Sequence, residues 1–338
     1  MSALKYLSFL IIPTSVYFSF LGTGIQSFSA LAVAFVLIPA IELVFTPKHP
    51  VTRDLSPKDS ILFDLLLVLA AVIHFGLLAY FIYHVSSQSL ALVDLIGHTT
   101  AMGLMCGVFG INLAHELGHR RSRGSRTLAK ALLATSLYMH FYIEHNKGHH
   151  KNVATPDDPA SARYSETLYT FWIRSIAFSY LSAWRIQLKE LKRARSSFLS
   201  KKNEMLLYHL IQVTFMVLLA VFVGPKTLLC FIGAALIGIL LLETVNYIEH
   251  YGLSRSKISE KRYQNVEVYH SWNSDHPIGR LVLFELSRHS DHHHNPHKKY
   301  QNLESHEEAP HLPTGYPGMM VLSLIPPIWF HLMNPRIP

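Results

Sequence analysis

The chain has 338 residues, 50% hydrophobic and only 15% charged, with a mean hydropathy of +0.23. Soluble domains carry about 25% charged residues, so these values exclude an ordinary soluble enzyme. The formal net charge of +8 fits a membrane face by its position along the chain, and no nucleic-acid partner is expected.

A spanning helix needs about 20 mostly apolar residues. Six such runs are expected, at 6–21, 28–46, 61–84, 95–112, 206–223 and 227–246. Lys5 precedes the first run as in a signal peptide, but no small-x-small cleavage site follows before Gly22 and Gly24, so a retained helix is expected. Gly103, Gly107 and Gly110 in the fourth run permit close helix contact. Cys106 and Cys230 are the only cysteines and fall inside spanning runs, so no disulfide framework or thiolate metal set is available. Any metal must be held by nitrogen or oxygen.

Lys and Arg gather in loops on the inner side of a membrane. Residues 113–205 hold 16 of the 30 basic residues and 251–338 hold 9, whereas the loops at 22–27 and 85–94 hold none. The fold class expected is therefore all-α, a polytopic membrane protein of six transmembrane helices with a helical cytoplasmic cap. Residues 1–112 supply helices one to four, 113–205 the first part of the cap, 206–246 helices five and six, and 247–338 the second part. Within the cap, 127–143 and 166–194 carry apolar residues at helical spacing, and Trp172 and Trp184 suit a membrane surface.

The 22 histidines are the informative feature. His115 and His119 stand four apart, directly after the fourth run; if that helix continues, both rings lie on one face. His145, His149 and His150 repeat the pattern with an adjacent pair, as do His289, His292 and His293, and His250 sits just past the sixth run. One zinc takes about four ligands, so nine imidazoles are too many for one ion. Two octahedral ions offer about twelve positions, leaving about three open for water, dioxygen or a bridge. Imidazole alone suits zinc, copper, iron or nickel. Neutral rings leave the cations uncompensated, which predicts carboxylates accepting from the outer ring nitrogens; Glu116, Glu144, Asp157, Asp158, Glu243, Glu249 and Asp291 are placed for this. His140, His270 and His276 lie near the clusters and are possible further partners. His294, His297, His306 and His311 fall in a polar, proline-punctuated stretch and read as solvated. His74, in mid-helix, should face the bundle interior and line a cavity.

The chain resembles the integral-membrane alkane hydroxylases (alkane 1-monooxygenases), a branch of the membrane fatty-acid desaturase and hydroxylase superfamily. The resemblance rests on HELGHR at 115–120, EHNKGHH at 144–150, VATPDDPA at 153–160, NYIEHYGL at 246–253, HSWNSDH at 270–276, LSRHSDHHHNP at 286–296 and LPTGYPGMM at 312–320. It is close over about 110–330, and over the first hundred residues lies only in helix layout. It implies a di-iron site with the nine histidines as ligands. It also implies O2-dependent terminal hydroxylation of medium- to long-chain n-alkanes, in the bacterial inner membrane with the cap cytoplasmic. Electrons would come from rubredoxin, served by an NAD(P)H-dependent rubredoxin reductase.

An alkane offers no hydrogen-bond handle, so recognition calls for an apolar channel fed from membrane lipid. In some relatives a bulky residue on the second spanning helix limits that channel, and alignment on Pro39 and Glu42 puts Ala34 there. Arg120, Arg121, Arg123, Arg126, Lys147, Lys151, Lys298 and Lys299 flank the clusters and could steer an acidic electron donor or meet anionic lipid. The alternatives are a desaturase or hydroxylase of fatty acyl or aromatic methyl substrates, and a metal transporter. A membrane zinc protease using Glu116 as base is also weighed, but leaves six of the nine histidines unexplained.

Overall fold

A computed structural model describes residues 3–45, 57–260 and 262–338. In hydrocarbon every backbone polar group must be satisfied within its own segment, so long apolar runs fold as helices. Six described helices are long and apolar enough to cross a membrane: Ala3–Leu21, Gly24–Val44, Ser60–Ser87, Leu92–Gly118, Glu204–Phe222 and Pro225–His250. All six expected spans are present, and the end expected at Thr46 lies outside the described residues. Leu210, Val213, Val217 and Val221 leave an exposed apolar face along the fifth, as lipid contact requires. The turn between the first two spans is fastened when Gly24 N donates to Asp94 Oδ1 at 2.6 Å.

The fourth and sixth spans continue past the ends of their apolar runs, and this positions the site. The fourth continues to Gly118 through a π turn at Cys106–Ile111, carrying His115 and Glu116 on the helix itself. The sixth continues to His250, which is its last residue. The two pack backbone to backbone: a Cβ on Gly103 would stand 2.5 Å from Ile237, and one on Gly107 3.2 Å from Leu241. Gly238 answers from the sixth helix, where a Cβ would meet Cys106 Cβ at 2.7 Å and Gly107 N at 3.0 Å.

The cap joins helices by irregular segments, and its described residues include one small antiparallel ribbon, Lys257–Ser259 with Arg262–Tyr263. The helix expected at 127–143 is instead broken. Arg123–Thr135 ends at Ser136, Leu137 adopts φ +52°, and a new helix starts at Phe141, because the chain must turn the second histidine cluster inward. Leu168–Arg193 forms a long helix whose Phe171, Ser175, Ser179 and Ala183 face inward, while Ile173, Phe178 and Leu188 remain exposed among Arg185 and Lys189. That second face suits a membrane surface.

A buried ionic cluster ties the first span to the last quarter of the chain. Tyr6 Oη donates to Glu285 Oε1 at 2.6 Å, and the fully buried Arg288 lies 3.4 Å from both Glu285 and Asp275. Asn273 then holds the third histidine cluster at both ends of its amide, accepting from Ser290 N and donating to Ser290 Oγ.

Gly238→Ala should lower the melting temperature in detergent by several degrees, since overpacking of a close contact costs roughly 1–3 kcal/mol. Gly76→Ala, where a Cβ meets nothing within 4 Å, should be neutral; equal melting of the two variants would contradict the close contact.

Candidate metal centre

The four stretches of sequence converge. His115, His119, His145, His150 and His292 point one ring nitrogen each into a common space, and His149, His250, His289 and His293 point theirs into a second. In the first, the Nε2 atoms of His115 and His292 stand 2.8 Å apart, and those of His119, His145 and His150 stand 3.0–3.2 Å from one another. In the second, His293 lies 2.9 Å from His289 and 3.2 Å from His149, with His250 3.3 Å from His289. Seven of the nine rings are buried, whereas His119 and His150 are partly exposed.

Local helix geometry explains the sorting. His115 and His119 share a pocket, as do His289 and His293, each four apart on a helix. Adjacent residues diverge by about 100° on a helix, so His149 and His150 serve different pockets, and so do His292 and His293. Cluster two departs from the expected four-residue pairing. A π turn at His145–His149 brings His145 over His150, five residues on, and sends His149 to the other side.

The donor set fits metal ions. Neutral imidazoles offer one donor and one acceptor each, so three Nε2 atoms in mutual contact cannot all be paired by hydrogen bonds. Ligand atoms at a bond length of about 2.1 Å from one ion stand about 3.0 Å apart in an octahedron and about 3.4 Å apart in a tetrahedron, and the spacings of 2.8–3.3 Å here suit ligation of a common ion. Burial, and after it the neighbouring rings, pushes His119, His145, His150, His289, His292 and His293 well below the usual histidine value, leaving them in the neutral, ligating form. Burial would also depress His149, but the Asp158 carboxylate outweighs it and raises the ring.

The seven carboxylates divide. Asp158 stands behind a ring: its Oδ2 lies 2.9 Å from His149 Nδ1 and also accepts from Ser161 Oγ at 2.6 Å. Glu249 is buried against the same pocket from the other side, its Oε2 3.1 Å from His289 Nε2, the inward nitrogen rather than the outer one. The other five are held by further partners or lie exposed, and of these Glu144 and Glu243 still line a small hollow with His145 and His149. Glu116 is bound by Arg120 and by Tyr300 N at 3.3 Å, which also removes it from the role of a protease base. Glu243 accepts from Tyr138 Oη at 2.8 Å, and Asp291 pairs with Lys298 at 2.7 Å. Glu144 accepts from Ser182 Oγ at 3.3 Å, and Asp157 is exposed.

The other histidines also separate. His140 lies between Tyr138 and Tyr180, His270 accepts from Glu267 N at 2.9 Å, and His276 pairs with Ser274 Oγ at 3.0 Å. His306 is not simply solvated, since its Nε2 lies 3.1 Å from Asp291 Oδ1. His74 is buried with Nε2 2.8 Å from Thr135 Oγ1, and is not among the residues that line the apolar cavity beside the histidines.

That cavity encloses about 840 Å³ of space between the second, fourth and sixth spans, its mouth included. Ala34, Phe35, Ile38, Leu104 and Val108 line one end, and His115, His145 and His289 stand at the other with Glu249. Phe141 lies over His145, ring centroids 4.7 Å apart. Glu42, used above only to align, is buried beside the cavity and accepts from Gly279 N at 2.7 Å. A carboxylate in an apolar run is costly enough to mark such a clamp.

The flanking cations are largely committed. Arg120 bridges Glu116 and Asp64, Lys299 pairs with Asp64, Lys147 with Glu190 and Lys298 with Asp291 and Glu304. Arg121, Arg123, Arg126 and Lys151 are exposed.

A polytopic helical bundle with such a histidine-rich site defines a membrane protein of the desaturase and hydroxylase class, and residues 89–322 match the fatty acid desaturase family. The chain is 37% identical over 321 residues to an alkane 1-monooxygenase of Pseudomonas putida, covering 94% of this chain and 79% of that protein. It is 39% identical to alkane 1-monooxygenase 1 of Alcanivorax borkumensis, over 89% and 75% of the two chains. It is also 28% identical to the xylene/toluene monooxygenase hydroxylase component of Pseudomonas putida, over 92% and 80%. The chain belongs to the fatty acid desaturase family, in its alkane 1-monooxygenase branch.

Asp158→Asn should keep the fold but weaken metal retention by about 10–100-fold, the usual effect of losing a carboxylate behind a ligating ring, read by metal analysis after dialysis. In chelator-treated protein the six depressed rings titrate below 6.5 in the folded state, so the unfolded chain binds more protons on acidification. Stability from these rings is full above about pH 6.5 and declines below it, outweighing the opposite sign of His149. Melting temperatures should fall from pH 7.5 to pH 5.5; a flat profile would contradict neutral rings.

Proposed function

We propose that the chain hydroxylates the terminal methyl group of medium- to long-chain n-alkanes at a di-iron centre. His115, His119, His145, His150 and His292 would hold one iron, and His149, His250, His289 and His293 the other. The observation that carries this reading is the apolar cavity ending on imidazoles of both groups, His115 and His145 from one and His289 from the other. The overall conversion takes RH, O2, two electrons and two protons to ROH and water. Bound iron supplies the oxidising chemistry with O2 that an unactivated C–H bond requires.

The chain's own residues orient the substrate and keep water out. Ala34, Ile38, Leu104 and Val108 offer a hydrocarbon no polar partner, so it is held by its shape. Polar lining is concentrated near the histidines, where Asn112 spends its amide on Leu283 O at 3.1 Å. An unbranched chain therefore advances end first and presents its methyl group there. Asp158 fixes the ring of His149 through Nδ1, and Glu249 adds the one carboxylate facing the four-histidine pocket.

The two partly exposed rings, His119 and His150, lie on the cap side near Arg121 and Lys151 in sequence. A basic surface there suits an acidic one-electron donor, which we assign as rubredoxin with its NAD(P)H-dependent reductase. The concentration of Lys and Arg in the cap supports a cytoplasmic position for it, which we assign to a bacterial inner membrane. The names of the relatives support the substrate: those more than 30% identical act on alkanes by name, and the aromatic monooxygenase is the more distant one.

Purified protein should carry two irons per chain and convert octane to 1-octanol with rubredoxin and its reductase, in preference to a fatty acyl ester or xylene. One zinc per chain, or product only from the acyl ester, would overturn the proposal. Ala34→Trp should shift preference to shorter alkanes, and an unchanged chain-length profile counts against the cavity as the binding site. Joint replacement of Arg121, Arg123 and Lys151 by Glu should slow rubredoxin-dependent turnover and flatten its ionic-strength dependence. A rate that responds to neither would assign these cations to lipid.

A further inference from the structure

A second apolar hollow lies on the outward side of the second and sixth spans, against the short helix Tyr316–Ser323. Its walls include Ile25, Val36, Leu240 and Leu324, of which Val36 is 67% exposed and Leu324 43%. It shares three lining residues with the inner cavity: Phe35, Leu241 and Met320. We propose that these three side chains form the portal through which the alkane passes sideways from the bilayer, and that they set the cross-section admitted. This rests on the alkane reading above.

Exposure falls along this line, from Val36 at the lipid to partly buried Phe35 and Leu241, Met320 at 8% and Ala34 at 4%. Ala34, Phe35 and Val36 are consecutive, so one turn of the second span supplies an inner wall, a threshold and an outer wall. That turn is a π turn, Val33–Leu37, an irregularity frequent at functional sites. The outer hollow also presents a surface compatible with hydrocarbon. Its polar groups are satisfied internally, since Trp172 Nε1 donates to Thr244 Oγ1 at 3.1 Å and Thr244 donates to Leu240 O at 2.7 Å.

The three threshold residues suit a passage more than a wall. Met320 is unbranched with three rotatable bonds and yields its place at small cost. Phe35 and Leu241 stand on separate spans, so their gap is not fixed by one backbone. Depth and width are thereby set separately, depth at Ala34 and width at the threshold. Straight chains pass, and branched ones are refused before reaching the histidines.

The test places a thiol inside the cavity and asks from which side it is reached. In a Cys106→Ala, Cys230→Ala background reconstituted in vesicles, Val108→Cys is labelled with decyl methanethiosulfonate dissolved in the bilayer, or with a charged, water-soluble methanethiosulfonate. Met320→Trp should slow the decyl reagent about tenfold, as about 1.4 kcal/mol of added barrier does, and leave the charged reagent unaffected. Met320→Ala and Phe35→Ala should speed it several-fold, and Met320→Leu should match the parent. If Met320→Trp does not fold, Leu241→Trp makes the same closure from another helix. Decyl labelling indifferent to residues 35, 241 and 320, or charged reagent arriving as fast as decyl, overturns the portal. Octane oxidation is scored separately in the iron-loaded protein without substitutions. Labelling through this threshold, together with octane left unoxidised by the unsubstituted protein, defeats the proposed reaction and not the portal.

Discussion

Nine imidazole rings with their nitrogens about 3 Å apart repel one another unless something positive lies between them, and most of the fold serves to hold them there. Burial disfavours charge on most of the rings, His149 beside Asp158 excepted, so protonation does little to relieve the crowding. The protein resists this locally unfavourable arrangement with structure that cannot relax. The fourth and sixth spans carry their helical turns past the apolar run, a π turn rotates the second cluster, and a buried arginine network pins the third. A site of this kind is preorganised for cations at the expense of the metal-free state.

The surroundings of the rings are sorted by polarity. The membrane side meets an almost wholly apolar cavity, suited to a substrate with no polar group. The cap side meets ion pairs, two partly exposed rings and basic surface residues. Carboxylates follow the same division. Asp158 lies behind a ring where charge is shielded by hydrogen bonds, and Glu249 alone projects toward the inner nitrogens. Glu116 and Asp291, which sit within the histidine motifs, are turned outward to Arg120 and Lys298 and hold the cap together.

Much of this was legible in the sequence. The six spans follow from apolar run length, a close helix contact on the fourth span from Gly103 and Gly107, though not the partner that makes it, and the nine converging rings from their spacing at helix ends. The pairing was not. Four-residue spacing holds for His115 with His119 and for His289 with His293, but no local rule announced the π turn that pairs His145 with His150. Nor does spacing reveal which way a carboxylate turns, because that depends on partners far along the chain, such as Tyr300 for Glu116 and Tyr138 for Glu243. His74 read as a cavity residue because a polar group in lipid needs an enclosed site, and a hydroxyl from Thr135 meets that need without a cavity.

The contact between Tyr6 and Glu285 joins residues 279 apart and bears on how the protein is made. Both histidine pockets draw on the helix His289–His294, His292 for one and His289 and His293 for the other. Neither can close while that helix is still inside the ribosome, whatever the state of the six spans, all of which precede it in the chain. A nascent chain stalled before residue 289 would therefore be devoid of either complete ligand set.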